Sequence, residues 1–151
     1  MNDKTKKNLR KEDYLNWILA NFNFIKGDDQ YEYVKSGSKI SINPSSNSWF
    51  FEQVRTEHGR VWDLSIEENI IKLILCLKLL ERGYNGKNII LEKSFRLGHN
   101  NTGYVDIAIE KDNQVHYMIE AKTPQELPKY LDLGQKYVKQ LFSYLWTREI
   151  Y

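Results

Sequence analysis

Cysteine is scarce in this sequence, which has one, Cys76, among 151 residues. A single thiol excludes an intrachain disulfide framework and any zinc site built from cysteines alone. Long apolar runs are missing too, because the longest, Ile70 to Leu80, contains Lys72 and Lys78 and is too short to span a bilayer. The polar N-terminus, MNDKTKKNLRKED, lacks the apolar core of a signal peptide. We therefore expect a cytoplasmic protein with no membrane partner.

An excess of charge of one sign is also absent. The chain carries 22 lysines and arginines against 20 acidic residues, which gives a net charge of +2 and a pI of about 8.5. A nucleic-acid surface would therefore have to come from local clusters of basic residues. The length and the 41% of hydrophobic residues suit one globular domain with its own core.

Periodicity and turn residues divide the chain into two regions. Residues 1–62 are predicted to form an N-terminal α+β extension of unknown role, and residues 63–151 the core. The extension is predicted to contain a helix at 13–22 and strands at 31–35, 38–42 and 48–56. The core is predicted to contain a helix from Ser65 to about Arg82, strands at 88–95, 104–110 and 115–122, a helix at 130–146 and a truncated last strand from 147.

The first helix of the core begins with the pattern of a capping box, Ser65-Ile66-Glu67-Glu68. In such a box the serine hydroxyl accepts a hydrogen bond from the third helical amide, and the glutamate reaches back to the serine amide. The pattern therefore predicts that Ser65 and Glu68 cap the helix together.

The two strands at 104–110 and 115–122 carry charges among apolar residues. Alternate residues of a strand face opposite sides of a sheet. The two apolar triplets that are expected to be buried together are Val105, Ile107 and Ile109 in the first strand and Val115, Tyr117 and Ile119 in the second. Asp106, Glu120 and Lys122 are then expected to share the other face.

The turn between these strands decides how the charges meet. If Lys111 pairs with Val115, residues 112–114 form a three-residue loop and Asp106 stands directly opposite Glu120. Opposed residues of an antiparallel pair have Cβ atoms about 4.5–5.5 Å apart. Two carboxylates at that separation repel each other unless positive charge lies between them.

A divalent cation would supply that charge. Mg²⁺ takes carboxylate oxygens and keeps several waters, and Lys122, two positions beyond Glu120, could reach the same point and stabilise a developing phosphate charge. The alternative is a hairpin whose polar face is only solvated, which is the common arrangement of antiparallel sheets. The residues alone leave both interpretations open.

Asp106 followed by Glu120-Ala121-Lys122 at the end of the next apolar strand resembles the motif of the PD-(D/E)xK nucleases. The sequence QLFSY, with Gln140 and Tyr144 four residues apart on one helical face, looks like the QxxxY motif of the RecB-like branch. The pattern over about 65–151 most resembles the N-terminal nuclease domain of type I restriction-enzyme R subunits. Val105 stands where the motif's name has proline, a substitution that the family tolerates.

The resemblance implies an α/β fold with a restriction-endonuclease-like core, a mixed central β-sheet flanked by helices. It implies that Asp106, Glu120 and the carbonyl of Ala121 bind Mg²⁺, with Mn²⁺ as a substitute, and that Lys122 activates the attacking water. Glu68 is a fourth candidate metal ligand, and its capping role is the alternative. Gln140 and Tyr144 would shape the site, although Tyr144 alone could be a core aromatic residue.

The implied function is a magnesium-dependent DNA endonuclease module of a type I-like restriction-modification system. Its partners would be DNA and other restriction subunits or an attached helicase, and its products a 5′-phosphate and a 3′-hydroxyl. Two alternatives stay open. One is a nucleic-acid-binding or scaffolding module of the same fold that does not hydrolyse, and the other is a nuclease that acts on RNA or branched DNA.

Overall fold

The computed structural model of the chain describes residues 14–57, 59, 61–97 and 101–122. The predicted helix at 130–146 and the strand from 147 lie outside the described residues. The described part contains two helices and two sheets of mostly antiparallel strands. Its elements are α1 (14–21), β1 (Ile25–Lys26), β2 (Tyr31–Lys35), β3 (Ser38–Asn43), β4 (Ser48–Phe51), β5 (Arg55–Thr56), β6 (Val61–Asp63), α2 (Glu67–Glu81), a 3₁₀ helix (Gly86–Asn88), β7 (Ile89–Leu97), β8 (Asn101–Lys111) and β9 (Gln114–Ile119).

The first sheet is an antiparallel meander in the order β1-β2-β3-β4-β6, and the second has the order β5-β7-β8-β9. In the second sheet β5 runs parallel to β7, whereas the other pairs are antiparallel. The predicted strand at 48–56 is wrong as a single strand, because it is divided between the two sheets. The chain turns between them at Glu52 and Gln53, where the Glu52 amide donates to the Lys39 carbonyl and the Gln53 side chain accepts from the Lys39 amide.

One main hydrophobic core joins the two sheets and α2. Trp49 of β4 and Trp62 of β6 stack with ring centroids 4.5 Å apart, and the Trp49 indole donates a 3.1 Å hydrogen bond to the carbonyl of Asn69 in α2. On the other side of the core, α2 packs Leu73 and Leu77 in the same cluster as Ile107 of β8. The predicted division at residue 62 falls inside β6, and the division into an extension and a core stays a prediction.

Helix α2 is confirmed, but it begins differently from the prediction. Ile66 is its N-cap residue and makes no side-chain capping bond. The amide of Ser65 instead donates a 2.7 Å hydrogen bond to Asp63 Oδ1. Glu68 turns to a partner further along the helix, so the predicted capping box of Ser65 and Glu68 is wrong. No helix in the described ranges is long and apolar enough to cross a membrane.

The turn between β8 and β9 has two residues, Asp112 and Asn113, with φ of 53° and 59°. Left-handed conformations at both positions are those of a type I′ hairpin turn, which Asp and Asn tolerate. Lys111 therefore pairs with Gln114, and the predicted Lys111–Val115 pair with a three-residue loop is wrong.

A β-bulge then restores the predicted register near the charged residues. Glu110 pairs with Val115 and Ile109 with Tyr117, so His116 is an extra residue on β9. Beyond the bulge Ile107 pairs with Ile119, and the same register places Asp106 opposite Glu120 at the next position. The same bulge moves Val115 to the side of Ala108 and Met118, so the prediction that Val115 shares a face with Tyr117 and Ile119 is also wrong.

The contact at Gly86 offers a test of how tightly the two sheets are joined. Its amide donates a 2.8 Å hydrogen bond to Ser38 Oγ, and a Cβ at this position would lie 2.6 Å from that oxygen and 2.9 Å from the Phe51 ring. We expect Gly86→Ala to cost about 1–3 kcal/mol through overpacking, at roughly 2–4 °C in Tm per kcal/mol. Gly59→Ala is the control, since nothing lies within 4 Å of its Cβ. Equal Tm values for the two variants would contradict the expectation.

Candidate active site

The alternation of faces along β8 breaks at Asp106. Ile107 and Ile109 pack in the main core with α2, whereas Val105 packs in a second cluster with Ala108. Val105 and Ala108 are three positions apart, so strict alternation would have put them on opposite faces. The prediction that Val105 shares a face with Ile107 and Ile109 is therefore wrong. The break lets Asp106 contact a side chain of α2.

The break coincides with a strained residue on the neighbouring strand. In the register of β7 and β8, Glu92 stands opposite Asp106, and its φ of 54° lies in the left-handed region. For a residue with a side chain this conformation costs about 1–2 kcal/mol. Such strain persists where surrounding contacts hold the residue in place. At Glu92 the holding contact is an ion pair.

That ion pair belongs to a group around one buried lysine, which we call the Lys72 cluster: Glu68, Lys72, Glu92 and Asp106. The Lys72 ammonium, from α2, lies 3.4 Å from Glu68 Oε1 one turn earlier in the helix. It lies 3.3 Å from Glu92 Oε1 of β7 and 3.4 Å from Asp106 Oδ1 of β8. Only 5% of the Lys72 side chain is exposed, so its charge is stabilised by these carboxylates rather than by water.

Lys72 stays charged despite its burial. Burial lowers the pKa of Lys72 and is the largest single influence, but attraction to Asp106, then Glu92 and Glu68, outweighs it and raises the pKa above the ordinary value. One ammonium among three carboxylates leaves the cluster with an excess of negative charge. The cluster can therefore attract a further cation.

The end of β9 brings a second pair of charges to Asp106. The Ala121 amide donates a 2.7 Å hydrogen bond to Asp106 Oδ2, and the Lys122 ammonium lies 3.6 Å from Glu120 Oε2. Burial, with the charge of Asp106 and a hydrogen bond to it, raises the pKa of Glu120 to about 7, while Lys122 acts in the opposite direction. Asp106 and Glu120 thus lie side by side, and Lys122 alone does not offset their repulsion.

The structure places most of the predicted site residues in one region. Those that it brings together are Asp106, Glu120, Ala121 and Lys122, with Glu68 joined to them through Lys72. Gln140 and Tyr144 lie outside the described residues. His116, in the bulge, is exposed.

The donor chemistry of this region suits a hard divalent cation. Carboxylate and carbonyl oxygens are the ligands that Mg²⁺ and Mn²⁺ prefer, and a cation between Asp106 and Glu120 would allow both to ionise. Within the ranges that the structure describes, however, no three acidic, histidine or cysteine side chains are arranged to hold a metal. The cation among Glu68, Glu92 and Asp106 is the ammonium of Lys72.

Reasoning from the sequence missed Lys72 and Glu92. Lys72 interrupts the apolar stretch of α2 four residues after Glu68, and a buried lysine at that spacing from a glutamate predicts an ion pair. Glu92 follows the apolar residues Ile89 to Leu91, where alternation alone gives no reason to expect a charge that turns toward the helix. The first signal was visible in the sequence, whereas the second depends on the left-handed backbone.

A cavity of about 310 Å³ lies on the outer face of the first sheet, and its lining includes Lys39, Phe50 and Val61. It shares no residue with the Lys72 cluster. The Lys39 ammonium is paired with Glu32 at 3.4 Å and Glu52 at 4.0 Å. Its charge is thus already balanced, and the cavity presents no excess of positive charge to a phosphate.

Comparisons of the chain with models of protein families, with curated proteins and with solved structures gave no match. The likeness to PD-(D/E)xK nucleases therefore stays a prediction from the sequence motif. The structure itself shows a hairpin whose end brings an aspartate, a glutamate and a lysine together.

The raised pKa of Glu120 predicts how the stability of the metal-free protein depends on pH. The folded state binds this proton more tightly than the unfolded state, so the stabilisation is complete below about pH 4.5 and is lost as pH rises through about 7. Between pH 5 and 8 we expect the free energy of unfolding of the native chain to decline by on the order of 2 kcal/mol, and Glu120→Gln to show a smaller decline. Urea unfolding in EDTA measures this free energy at each pH.

The matched control is Glu52→Gln, which changes an exposed glutamate at the turn between the two sheets. It should leave the pH profile of the native chain unchanged. If native protein and Glu120→Gln lose stability in parallel from pH 5 to 8, the side-by-side placement of Asp106 and Glu120 is wrong.

Proposed function

We propose that the chain is a magnesium-dependent nuclease module that hydrolyses phosphodiester bonds in DNA. The observation that carries the proposal is the placement of Asp106, Glu120 and Lys122 at the end of the β8–β9 hairpin. Asp106 and Glu120 are adjacent, and their repulsion raises the pKa of Glu120, so a cation bound between them would be stabilised by both carboxylates. A lysine beside them can stabilise the charge that develops on a phosphate.

Each residue has a separate task in this proposal. Asp106 and Glu120 would hold Mg²⁺ together with the Ala121 carbonyl, and Glu68, which contacts Lys72, is a further candidate ligand. A bound Mg²⁺ would offset the charge of the scissile phosphate and of the leaving oxygen. Lys122, held 3.6 Å from Glu120, positions the attacking water and stabilises charge on the phosphate.

The order of elements supports the proposal in part. Helix α2, strands β7 and β8 and the hairpin to β9 follow one another as in the core that the resemblance implies, and β5 makes the sheet a mixed one. By the same resemblance the chain would act within a type I-like restriction system, with other subunits or a helicase domain as partners. RNA and branched DNA are the alternative substrates.

A second candidate function is supported by the Lys72 cluster. An ammonium already occupies the space among three carboxylates, so the charge of this buried lysine is paired without any metal. A module that binds nucleic acid or partner subunits without cleaving would keep this arrangement. Metal binding by the native chain separates the two candidates.

Substitution at Lys122 separates catalysis from metal binding. We expect Lys122→Met to lower the rate of plasmid nicking by about 10²–10³, the typical loss for one well-placed electrostatic group. Mg²⁺ affinity should be kept or increased, because a positive charge is removed from beside Glu120. Asp106→Asn should lose metal binding and nicking together. Calorimetric Mg²⁺ titration and a nicking assay measure both.

Lys111→Met, at the turn of the hairpin, is the control and should behave as the native chain. Recovery of nicking by Lys122→Met at high Mg²⁺ would show that Lys122 only holds the carboxylates in place. A parallel panel of plasmid, RNA and branched DNA tests the substrate, and cleavage of RNA alone would overturn the assignment to DNA.

A further inference from the structure

We propose that Lys72 is an internal competitor for the metal: its ammonium occupies the space among Glu68, Glu92 and Asp106 and must withdraw from Asp106 when a divalent cation binds there. The inference rests on the proposed function in one respect, that Asp106 is a metal ligand. It adds a positioning residue, Lys72, and a further acidic group, Glu92, to the site.

The competition follows from the geometry of Asp106. Its Oδ1 lies 3.4 Å from the Lys72 ammonium and its Oδ2 accepts the 2.7 Å hydrogen bond from Ala121. A cation that binds Oδ1 would stand within a few ångströms of Lys72, where like charges repel strongly because the side chain is buried. The bound metal and the present position of Lys72 therefore exclude each other.

Lys72 has other carboxylates to retain it after such a movement. Glu68, one helical turn away, and Glu92, within β7, both contact the ammonium. Glu92 has a left-handed backbone, and its carboxylate contacts Lys72 instead of following the regular alternation of the strand. The ammonium can thus leave Asp106 and remain paired, which keeps its charge from becoming isolated in the interior.

The test is a titration with MnCl₂ of the 151-residue chain, native and Lys72→Met, followed by calorimetry and by the metal-induced rise in Tm. Methionine keeps the length and apolar stem of lysine and removes the charge. We expect Lys72→Met to bind Mn²⁺ roughly tenfold more tightly or better, since a like charge near the cation is gone. Lys78→Met, on the exposed face of the same helix, should bind as the native chain does.

The outcomes separate this inference from the proposed function. Tighter Mn²⁺ binding by Lys72→Met than by the native chain supports the inference. It does so even if the native chain binds no Mn²⁺, although absence of binding by the native chain would overturn the proposed hydrolysis. Equal or weaker binding by a folded Lys72→Met overturns the inference, while nicking by the native chain in Mg²⁺ would leave the proposed function standing. Absence of binding in both proteins overturns both.

Lys72→Met alone leaves three facing carboxylates without their cation and could fail to fold. The double variant Lys72→Met with Glu92→Gln removes one positive and one negative charge, so the net charge of the cluster is unchanged. We expect it to fold and still to bind Mn²⁺ more tightly than the native chain. Affinity equal to or below that of the native chain would overturn the inference.

Discussion

A single buried ammonium, that of Lys72, joins the three elements that form the candidate site. Helix α2 supplies the lysine and Glu68, β7 supplies Glu92 and β8 supplies Asp106. The three carboxylates are only partly exposed and would repel one another if the cation were absent. The position of the helix over the sheet is thus fixed by charge at one end and by leucine packing along the rest.

The same ion pairs account for the irregular backbone around them. A regular β7 and β8 would place successive side chains on alternate faces, and Asp106 would then point away from the helix that covers Ile107. The left-handed Glu92 interrupts this pattern, and Val105 packs with Ala108 as a result. The left-handed conformation of Glu92 costs about 1–2 kcal/mol. Pairing with the buried Lys72 offsets this cost, because an unpaired buried ammonium would cost more.

Periodicity and turn chemistry predict much of this fold from the sequence, including α2, the three strands after it, and the meeting of Asp106 with Glu120. The correct register was nevertheless reached through a wrong turn: Asp112 and Asn113 form a tight turn, and the bulge at His116 makes up the difference. A bulge cannot be recognised from the alternation of apolar and polar residues, because one inserted residue shifts the pattern in the same way as a change of the buried face does. The prediction of a capping box was wrong because other groups bind both of its residues. Asp63 accepts the hydrogen bond of the Ser65 amide, and Lys72 forms an ion pair with Glu68.

Asp106 connects the two halves of the candidate site, and its surroundings show how its carboxylate is held. One oxygen faces Lys72 and the other accepts from the Ala121 amide, so the carboxylate is oriented before any cation arrives. A carboxylate has about four lone-pair positions, which leaves room for a further ligand on the side of Glu120. The remaining repulsion falls on Glu120, whose raised pKa records it. Lys72 thus offsets charge on one side of Asp106, whereas the raised pKa of Glu120 shows that repulsion on the other side is not offset, and a divalent cation there would offset it.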